Sequence, residues 1–342
     1  MSNTPRVSVI MITYNQERYV GQAVRSVLAQ RTAFDFEIVI ADDASTDSTP
    51  AVLRQLKAEN PQRINLILRE KNMGAAPNYL DAWSRCRAPY IAICEGDDWW
   101  LSTRKLARQV EWMDAHPECT VCFHRVANFY QQNSTWTVST APAVPDMTLD
   151  DLSRSNIITN LSVMYRAIPR ADIPDWVAET PLFDYAMHSL HAARGYVRYI
   201  PRTMAVYRRH SAGIWSGDRV RALRLAVEIR RRLMAHFADI RPEAVANWLD
   251  MAVKNYITLA ALQLADGDEA AASASAGDIA DLTRRYSTHP LTSAQIMDRI
   301  RTADTQAGVR RPGRLRALTR FIPLRLGVTL LDRAGAIVKI GF

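Results

Sequence analysis

Cysteine is scarce in this 342-residue chain, which contains only Cys86, Cys94, Cys119 and Cys122. Four cysteines are too few for a disulfide framework at this length, so we expect reduced thiols. Cys119, Cys122 and His124 have the spacing of half a zinc site. However, no second ligand pair follows at a suitable distance, and the surrounding segment is typical of a strand. The sequence therefore argues against a structural zinc ion.

Long apolar runs, glycine-rich loops and leader-like segments are also missing. No stretch reaches the roughly 18–20 apolar residues of a membrane-spanning helix, and the opening residues lack the basic-then-apolar pattern of a signal peptide. The first strand-like run is followed by TYNQERY, which has neither the glycine and lysine of a phosphate-binding loop nor a G-x-G-x-x-G pattern. These absences predict a cytoplasmic protein and weigh against a dehydrogenase.

Positive charge is concentrated in one segment of the chain. The formal net charge is +8, and residues 310–342 account for +7 of it, with eight basic side chains and one acidic one. We therefore expect no nucleic-acid-binding face on the remaining, nearly neutral part. Apolar residues are interspersed with the basic ones in this segment, a pattern that can lie in an anionic membrane interface. A helix packed on the core and a disordered basic tail are the alternatives.

Strand-like and helix-like segments alternate at short spacing in the first third of the chain. The predicted strands are Val7–Thr13, Phe36–Ala41, Ile64–Leu68 and Tyr90–Cys94. The predicted helices are Glu17–Ala29, Ala51–Glu59, Ala76–Arg85 and a helix capped by Ser102 that ends near His116. Such alternation predicts an α/β fold with a mixed, mainly parallel sheet flanked by helices.

The later part of the chain changes character. A strand-like run at Leu161–Tyr165 and a helix-like run at Leu182–Arg194 come first. From about residue 218 onward the sequence is helical and alanine-rich, and the predicted helices are Arg221–Phe237, Pro242–Leu264 and Ala270–Tyr286. We therefore predict a C-terminal helical region after the α/β part.

Acidic side chains crowd at the end of the fourth predicted strand, in Glu95-Gly96-Asp97-Asp98. Thr13-Tyr14-Asn15 follow the first strand and Asp42-Asp43 the second, and the carboxyl ends of parallel strands meet at one sheet edge, where such folds bind ligands. Crowded carboxylates repel one another unless a cation relieves them. Mg²⁺ or Mn²⁺ commonly binds through one or two carboxylates plus substrate phosphates. We therefore predict a metal–diphosphate site; a plain polar loop is the alternative.

An ordered series of motifs extends this pattern along the chain. It comprises VSVIMITYN at 7–15, IVIADDASTDST at 38–49, Asn72-x-Gly74-x-x-x-Asn78, YIAICEGDDWW at 90–100, Phe183-Asp184-Tyr185 and MAVYRRHSAGIWS at 204–216. Over roughly residues 5–217 the chain resembles a family 2 glycosyltransferase of the GT-A, Rossmann-like fold, of the bacterial polysaccharide or glycoconjugate type. The resemblance implies transfer of a sugar from a nucleotide-diphosphate donor to a hydroxyl acceptor, with inversion at the anomeric carbon.

The resemblance also implies roles for individual residues. Those expected to contact the nucleotide or the donor sugar are Thr13, Tyr14, Asn15, Asp43, Asn72, Asn78, Glu95 and Asp98. Asp43 would hydrogen-bond the base, and Asp98 would bind the donor sugar or orient Asp97. Asp97 is the last acid of the family's D-x-D motif and the expected metal ligand, whereas Glu95 replaces the first Asp of that motif.

Two further residues are assigned by their position in the motifs. Asp184 stands where the family keeps its catalytic base, although Phe183 precedes it where many relatives have Glu or Gly. A cap of the following helix is the alternative role for Asp184. His210 stands where relatives place a histidine that contacts the metal or the diphosphate, and the flanking Arg208 and Arg209 favour a phosphate site. A purely structural histidine is the alternative.

The expected organisation combines this resemblance, which covers the first domain, with the helical pattern and the charge of the later residues. Residues 1–217 would form the nucleotide-sugar-binding and catalytic domain, residues 218–305 a helical appendage and residues 306–342 a basic amphipathic tail. Trp99, Trp100 and Trp215 could stack on sugar rings or pack in the core. The expected partners are a UDP-sugar donor and a glycan, lipid-linked or small-molecule acceptor, with the tail on the inner face of a membrane.

Two other functions stay open at this stage. Another nucleotide-sugar-processing enzyme could use the same sheet edge, but the missing glycine-rich loop weighs against it. A non-catalytic nucleotide-sugar-binding module is the second possibility. The presence of both the predicted base and the predicted metal-binding acids weighs against such a module.

Overall fold

The computed structural model describes residues 4–210 and 219–307. These residues belong to two compact units, one on each side of the gap between 210 and 219. Trp215 and the predicted basic tail from residue 308 onward lie outside the described residues, so its membrane association stays a prediction.

The first unit is built on one ten-stranded sheet. Its strands are β1 (Val7–Thr13), β2 (Phe36–Asp42), β3 (Ile64–Leu68), β4 (Tyr90–Ile93), β5 (Trp99–Trp100), β6 (Cys119–Tyr130), β7 (Thr135–Val138), β8 (Asp146–Met147), β9 (Met164–Arg166) and β10 (Tyr196–Arg209). The main path through the sheet runs β3-β2-β1-β4-β9-β6-β10-β5, with β7 paired to β6 and β8 to β10.

The first four strands pair in parallel, as predicted. Every residue of β2 is buried, and β1 is buried except for the half-buried Ile12, which explains their continuous apolar character. In the register of β1 and β2, Thr13 lies opposite Asp42. The carboxyl ends of these strands therefore share one edge, where the predicted polar groups begin.

The rest of the sheet makes it mixed. Strand β9 lies between β4 and β6 and is antiparallel to both, whereas β6 and β10 form a long parallel pair. Short β5 closes one edge by pairing antiparallel with β10, where Trp99 lies opposite Val206. This pairing carries the residues just after the acidic motif onto the strand that ends near His210.

Six helices of the first unit cover the sheet or join its strands: α1 (Val20–Leu28), α2 (Thr49–Glu59), α3 (Ala75–Ser84), α4 (Lys105–Ala115), α5 (Leu149–Arg154) and α6 (Phe183–Ala192). The prediction of an α/β fold with flanking helices is confirmed. Two local predictions were wrong.

Ser102 does not cap α4, because the backbone N–H groups of Leu101 and Ser102 both donate to Met204 O and hold this segment on the sheet edge. Helix α4 begins only at Lys105. The predicted strand at Leu161–Tyr165 instead begins with a short 3-10 helix over Asn160–Ser162. There the Ser162 hydroxyl donates to Thr159 O at 2.6 Å and stabilises a turn.

The second unit consists of helices. They are α7 (Arg219–Phe237), α8 (Pro242–Ala265), α9 (Glu269–Tyr286) and α10 (Ser293–Ala307), and the predicted C-terminal helical region is confirmed. Helix α10 was not predicted, because its buried apolar positions, Ile296 and Ile300, are too few to give a clear helical pattern. Among residues 4–210 and 219–307, no helix has both the length and the apolar character that crossing a bilayer requires.

Candidate functional site at the sheet edge

The acidic motif is pressed against the end of β1. The Gly96 N–H donates to Ile12 O at 3.2 Å. A Cβ atom on Gly96 would overlap with Gln16 Oε1 and would lie 3.0 Å from both Cβ and Oγ1 of Thr13. Glycine allows this close approach without displacing Gln16 or Thr13, and it brings the flanking Glu95 and Asp97 to the carboxyl end of the central strand.

Asp97 and His210, each predicted to contact the metal or the diphosphate, are in direct contact with each other. His210 Nε2 lies 3.0 Å from Asp97 Oδ2. Arg208 fixes the backbone of Asp97 and the side chain of Asp98. Its side-chain Nε donates to Asp97 O at 2.8 Å, and its backbone N–H donates to Asp98 Oδ1 at 2.8 Å. The Tyr19 ring lies with its centroid 5.4 Å from that of His210. Residues more than a hundred positions apart in the sequence therefore form one site.

Burial and neighbouring charges raise the pKa values of two acids of this site, Glu95 and Asp98. Burial raises the pKa of Glu95 to about 7, and the charges of Asp97 and Asp184 add to the effect. Burial, followed by the charges of Asp97 and Glu95, raises the pKa of Asp98 well above its usual range. Glu95 Oε2 and Asp98 Oδ2 are buried and have no hydrogen-bond partner among the described residues. Such a cluster is stabilised by a cation or by hydrogen-bond donors.

We tested whether these residues fit a divalent cation. In the described part of the chain, no group of three or more His, Cys, Asp or Glu side chains is arranged to hold a metal ion. Asp97 and His210 therefore offer a two-ligand set. Mg²⁺ and Mn²⁺ usually take one or two protein ligands and complete their shell with phosphates and water. The donor set thus fits a cation that binds together with a diphosphate.

Asp184 lies in the first turn of α6, and Leu182 occupies the N-cap position of that helix. The alternative role of Asp184 as the cap is therefore wrong. Its Oδ1 accepts the N–H of Tyr185 at 2.8 Å, and burial raises its pKa. Its charge acts on Glu95 and on the phenols of Tyr79 and Tyr165. The structure thus brings Asp184 into the same electrostatic cluster as the acidic motif.

Asp43, which follows β2, organises the loop that contains Asn72 and Gly74. Its two carboxylate oxygens accept the N–H groups of Met73 and Gly74, each at 2.9 Å, and its own carbonyl accepts from Asn72 Nδ2 at 3.0 Å. Gly74 has a φ of 91°, a conformation that favours glycine. The motif Asn72-x-Gly74 therefore forms a loop wound around Asp43, and each carboxylate oxygen keeps a lone pair for a ligand.

Two asparagines predicted to contact the nucleotide or sugar make contacts within the protein. Asn15 has a φ of 53°, and its Oδ1 accepts the N–H of Thr46 at 2.8 Å. Asn78 is buried, donates to Ala41 O at 2.9 Å and accepts from Arg69 Nε at 3.1 Å. Tyr14, beside Asn15, is 47% exposed. The asparagines shape the loops of the pocket; their contact with a nucleotide stays a prediction.

The two tryptophans that follow the acidic motif, Trp99 and Trp100, lie in different surroundings. Trp100 is buried and its Nε1 donates to Leu161 O at 3.2 Å, so it packs in the core. Trp99 is half-buried, and the Arg208 guanidinium lies 4.5 Å from its ring centroid.

Sequence reasoning missed Asn160, which donates from Nδ2 to Glu95 Oε1. No local pattern marks Asn160, because it comes from a turn 65 residues away.

Comparison with known proteins shows that part of this chain is similar to glycosyltransferases. Residues 8–174 match the family model described as glycosyl transferase family 2. The uncharacterized protein Rv1520 of Mycobacterium tuberculosis is 43% identical over 212 residues, which cover 61% of this chain and 60% of the relative. The putative teichuronic acid biosynthesis glycosyltransferase TuaG of Bacillus subtilis is 34% identical over 160 residues, 47% of this chain and 62% of TuaG. The chain thus spans about three fifths of the length of these relatives.

Solved structures are similar in fold. S. aureus TarS 1–349 in complex with UDP-GlcNAc superposes with a TM-score of 0.61 at 16% identity, covering 92% of this chain and 90% of that one. The mannosyltransferase PcManGT of Pyrobaculum calidifontis, in complex with GDP-Man and Mn²⁺, gives a TM-score of 0.54 at 18% identity, with coverages of 93% and 84%. At these identities the likeness shows the fold alone, and it confirms the expected GT-A architecture.

Proposed function

The chain belongs to glycosyl transferase family 2 through residues 8–174, and from this premise we propose that it is a metal-dependent, inverting glycosyltransferase. It would move a sugar from a nucleotide-diphosphate donor to a hydroxyl acceptor in the synthesis of a cell-surface glycan or glycoconjugate. The observation that carries the proposal is the pair of Asp97 and His210, whose Oδ2 and Nε2 atoms lie 3.0 Å apart just after the acidic motif. The electrostatics of Glu95 support it, because burial raises the pKa of Glu95 and the charges of Asp97 and Asp184 add to the effect.

On the nucleotide side, we propose that Asp43 hydrogen-bonds the nucleobase, because each of its carboxylate oxygens can accept one more hydrogen bond. Tyr14 is exposed next to it and offers an aromatic face to the nucleoside, and Thr13 completes this wall. Asn72 and Asn78 would hold the loop and strand that face the nucleotide and donor sugar. UDP is the favoured nucleotide; TarS with UDP-GlcNAc is a structural neighbour, and the neighbour with GDP-Man makes guanosine the alternative.

On the phosphate side, Asp97 and His210 would hold Mg²⁺ or Mn²⁺ together with the diphosphate. When bound, such a cation neutralises the charge that builds up on the departing nucleoside diphosphate. Asp98 keeps the acid loop in place, because its Oδ1 accepts the N–H of Arg208. Arg208 in turn fixes the backbone of Asp97 through its Nε.

Asp184 would act as the general base. Its carboxylate would take the proton of the acceptor hydroxyl while that oxygen attacks the anomeric carbon from the face opposite the leaving group. Burial raises the pKa of Asp184 and makes the carboxylate a stronger base than an exposed aspartate. A single displacement of this kind inverts the anomeric configuration.

We assign the catalytic domain to residues 1–217, a helical appendage to residues 218–305 and a basic amphipathic tail to residues 306–342. The acceptor would be a glycan, a lipid-linked saccharide or a small molecule. The similarity to TuaG, a putative teichuronic acid biosynthesis glycosyltransferase, supports polysaccharide synthesis. A lipid-linked acceptor would agree with a tail that rests on the inner face of a membrane.

The proposed function is tested by incubating the full chain with a panel of UDP- and GDP-sugars and Mn²⁺, and by measuring release of the nucleoside diphosphate. We expect release from at least one donor, and loss of that release with EDTA. A chain that binds these donors but never releases nucleotide, with any acceptor or with water, would instead be a non-catalytic binding module.

A further inference from the structure

The acidic motif contains a glutamate where the family pattern has an aspartate, and the structure gives this side chain a specific partner. Asn160 Nδ2 donates a hydrogen bond to Glu95 Oε1. Asn160 begins the short 3-10 helix that precedes β9. An aspartate at position 95 would be shorter by one methylene, roughly 1.5 Å, and its carboxylate would fall short of this amide.

The pair leaves two acceptor atoms unused. Glu95 Oε2 and Asn160 Oδ1 are both buried, and neither has a hydrogen-bond partner within residues 4–210 and 219–307. A buried polar atom without a partner costs free energy, so native proteins almost always satisfy such atoms. Both atoms accept hydrogen bonds while Glu95 is ionised, and they therefore call for donors from a ligand or from water.

A third buried polar atom belongs to the same neighbourhood. Tyr79 is 1% exposed, and its hydroxyl has no hydrogen-bond partner in the part of the chain that the structure describes. Burial raises the pKa of Tyr79 well above its usual range, and the charges of Cys86, Glu95 and Asp184 add to the effect, so this phenol senses the same charges as the acidic motif. The Tyr79 ring packs against Phe183 with centroids 4.8 Å apart, which fixes the hydroxyl in place.

We propose that Glu95 and Asn160 form a subsite that accepts hydrogen bonds from two hydroxyl groups of the donor sugar. The inference rests on the proposed function and narrows its substrate to nucleotide sugars with a neutral, hydroxyl-bearing ring. A uronic acid would bring a carboxylate, which cannot donate, next to the charges of Glu95, Asp97 and Asp184. The glutamate is therefore a specificity-determining residue whose length is matched to Asn160.

The test measures Kd by isothermal titration calorimetry in Mn²⁺ for UDP, UDP-glucose and UDP-glucuronic acid, or for GDP and GDP-mannose if guanosine is preferred. For the wild-type chain we expect the neutral sugar to bind at least about tenfold more tightly than the uronic acid. Asn160→Ala should weaken binding of the neutral nucleotide sugar about tenfold and leave the Kd of the free nucleoside diphosphate unchanged. Asn160→Ser is the second variant in case the first unfolds.

Glu95→Asp gives the sharpest comparison, because it restores the family's acid while removing the reach to Asn160. We expect the same loss of sugar-dependent affinity as in Asn160→Ala, with unchanged affinity for the nucleoside diphosphate. Asn156→Ala, an exposed asparagine in the preceding loop, is the matched control and should behave as wild type. Wild-type affinity for the nucleotide sugar in Glu95→Asp or Asn160→Ala, or equal binding of the uronic acid, would overturn the subsite while leaving the proposed function intact. Absence of any nucleotide binding by the wild-type chain would overturn both.

Discussion

The buried glutamate of the acidic motif should make the stability of the metal-free protein depend on pH. Burial and the neighbouring aspartates raise the pKa of Glu95 from 4.5 to about 7. A folded-state pKa above the unfolded value means that the folded protein binds the proton more tightly. The resulting stabilisation is fully present below pH 4.5 and is lost as the pH rises through 7. Because one pKa unit corresponds to about 1.4 kcal/mol, ionisation of Glu95 should cost the fold about 3 kcal/mol at pH 8.

Glu95→Gln isolates this effect. The glutamine can still accept the hydrogen bond of Asn160 through its Oε1, but it cannot ionise. We expect the variant and wild type to have similar free energies of unfolding at pH 4, and the variant to be more stable by about 3 kcal/mol at pH 8. Groups that do not interact with Glu95, such as the buried His188 and His191 whose pKa values burial lowers, titrate alike in both proteins and cancel in the difference.

The assay is urea unfolding in EDTA at half-unit steps from pH 4 to pH 8, followed by tryptophan fluorescence. Glu70→Gln, a substitution of an exposed glutamate, is the matched control and should differ from wild type by the same small amount at every pH. A difference between Glu95→Gln and wild type that does not change with pH would refute the assignment of a raised pKa to Glu95. A Glu95→Gln variant that is less stable than wild type at pH 8 would also refute that assignment.

Four further perturbations test other parts of the site and of the chain. Asp184→Asn should lower sugar transfer by at least about 10²–10⁴-fold while nucleotide affinity is unchanged; near-normal turnover would remove Asp184 from the role of base. Asp97→Ala should abolish the dependence of donor affinity on Mn²⁺, measured by calorimetry with and without EDTA, and a dependence equal to wild type would contradict the assignment. Gly96→Ala should destabilise the fold by about 1–3 kcal/mol in urea unfolding, because the new methyl would lie 3.0 Å from Cβ and Oγ1 of Thr13 after the end of the Gln16 side chain has moved aside. The double variant with Gln16→Ala should keep most of that loss, and full recovery would mean that the overlap with Gln16 is its cause. Liposome flotation with anionic vesicles should recover the full chain but not a chain ending at residue 309, and equal recovery of both would argue against a membrane-bound tail.

The central strands could be predicted because their evidence is local. Val7–Thr13 and Ile64–Leu68 were predicted with the bounds that the structure has, since a short, continuous apolar run is typical of a buried parallel strand. The long strand β10 was missed, because Pro201 and several arginines interrupt its apolar pattern and the pairing with β6 is irregular. Pairing with a distant strand stabilises it, and no local pattern reports that pairing.

The candidate site likewise has a part that the sequence predicted and a part that only the structure revealed. The order of motifs was enough to select Asp97, Asp184 and His210, because each stands at a recognisable position in the family pattern. The sequence did not reveal that Asp43 binds the backbone of the Asn72–Gly74 loop, or that Asn78 is engaged between Ala41 and Arg69. These contacts depend on how α3 packs against β2, and packing is decided by the whole core.

By itself, the sequence determined the α/β class, the acids at the carboxyl ends of the strands and the resemblance to family 2 glycosyltransferases. Apolar periodicity and short motifs act over a few residues, and this is why they are readable without a structure. Only the tertiary structure decided which side chains meet: His210 beside Asp97, 113 residues away, and Asn160 on Glu95, 65 residues away. Such pairs form because strand order and register bring distant segments to one sheet edge, and neither is encoded in any single segment of the chain.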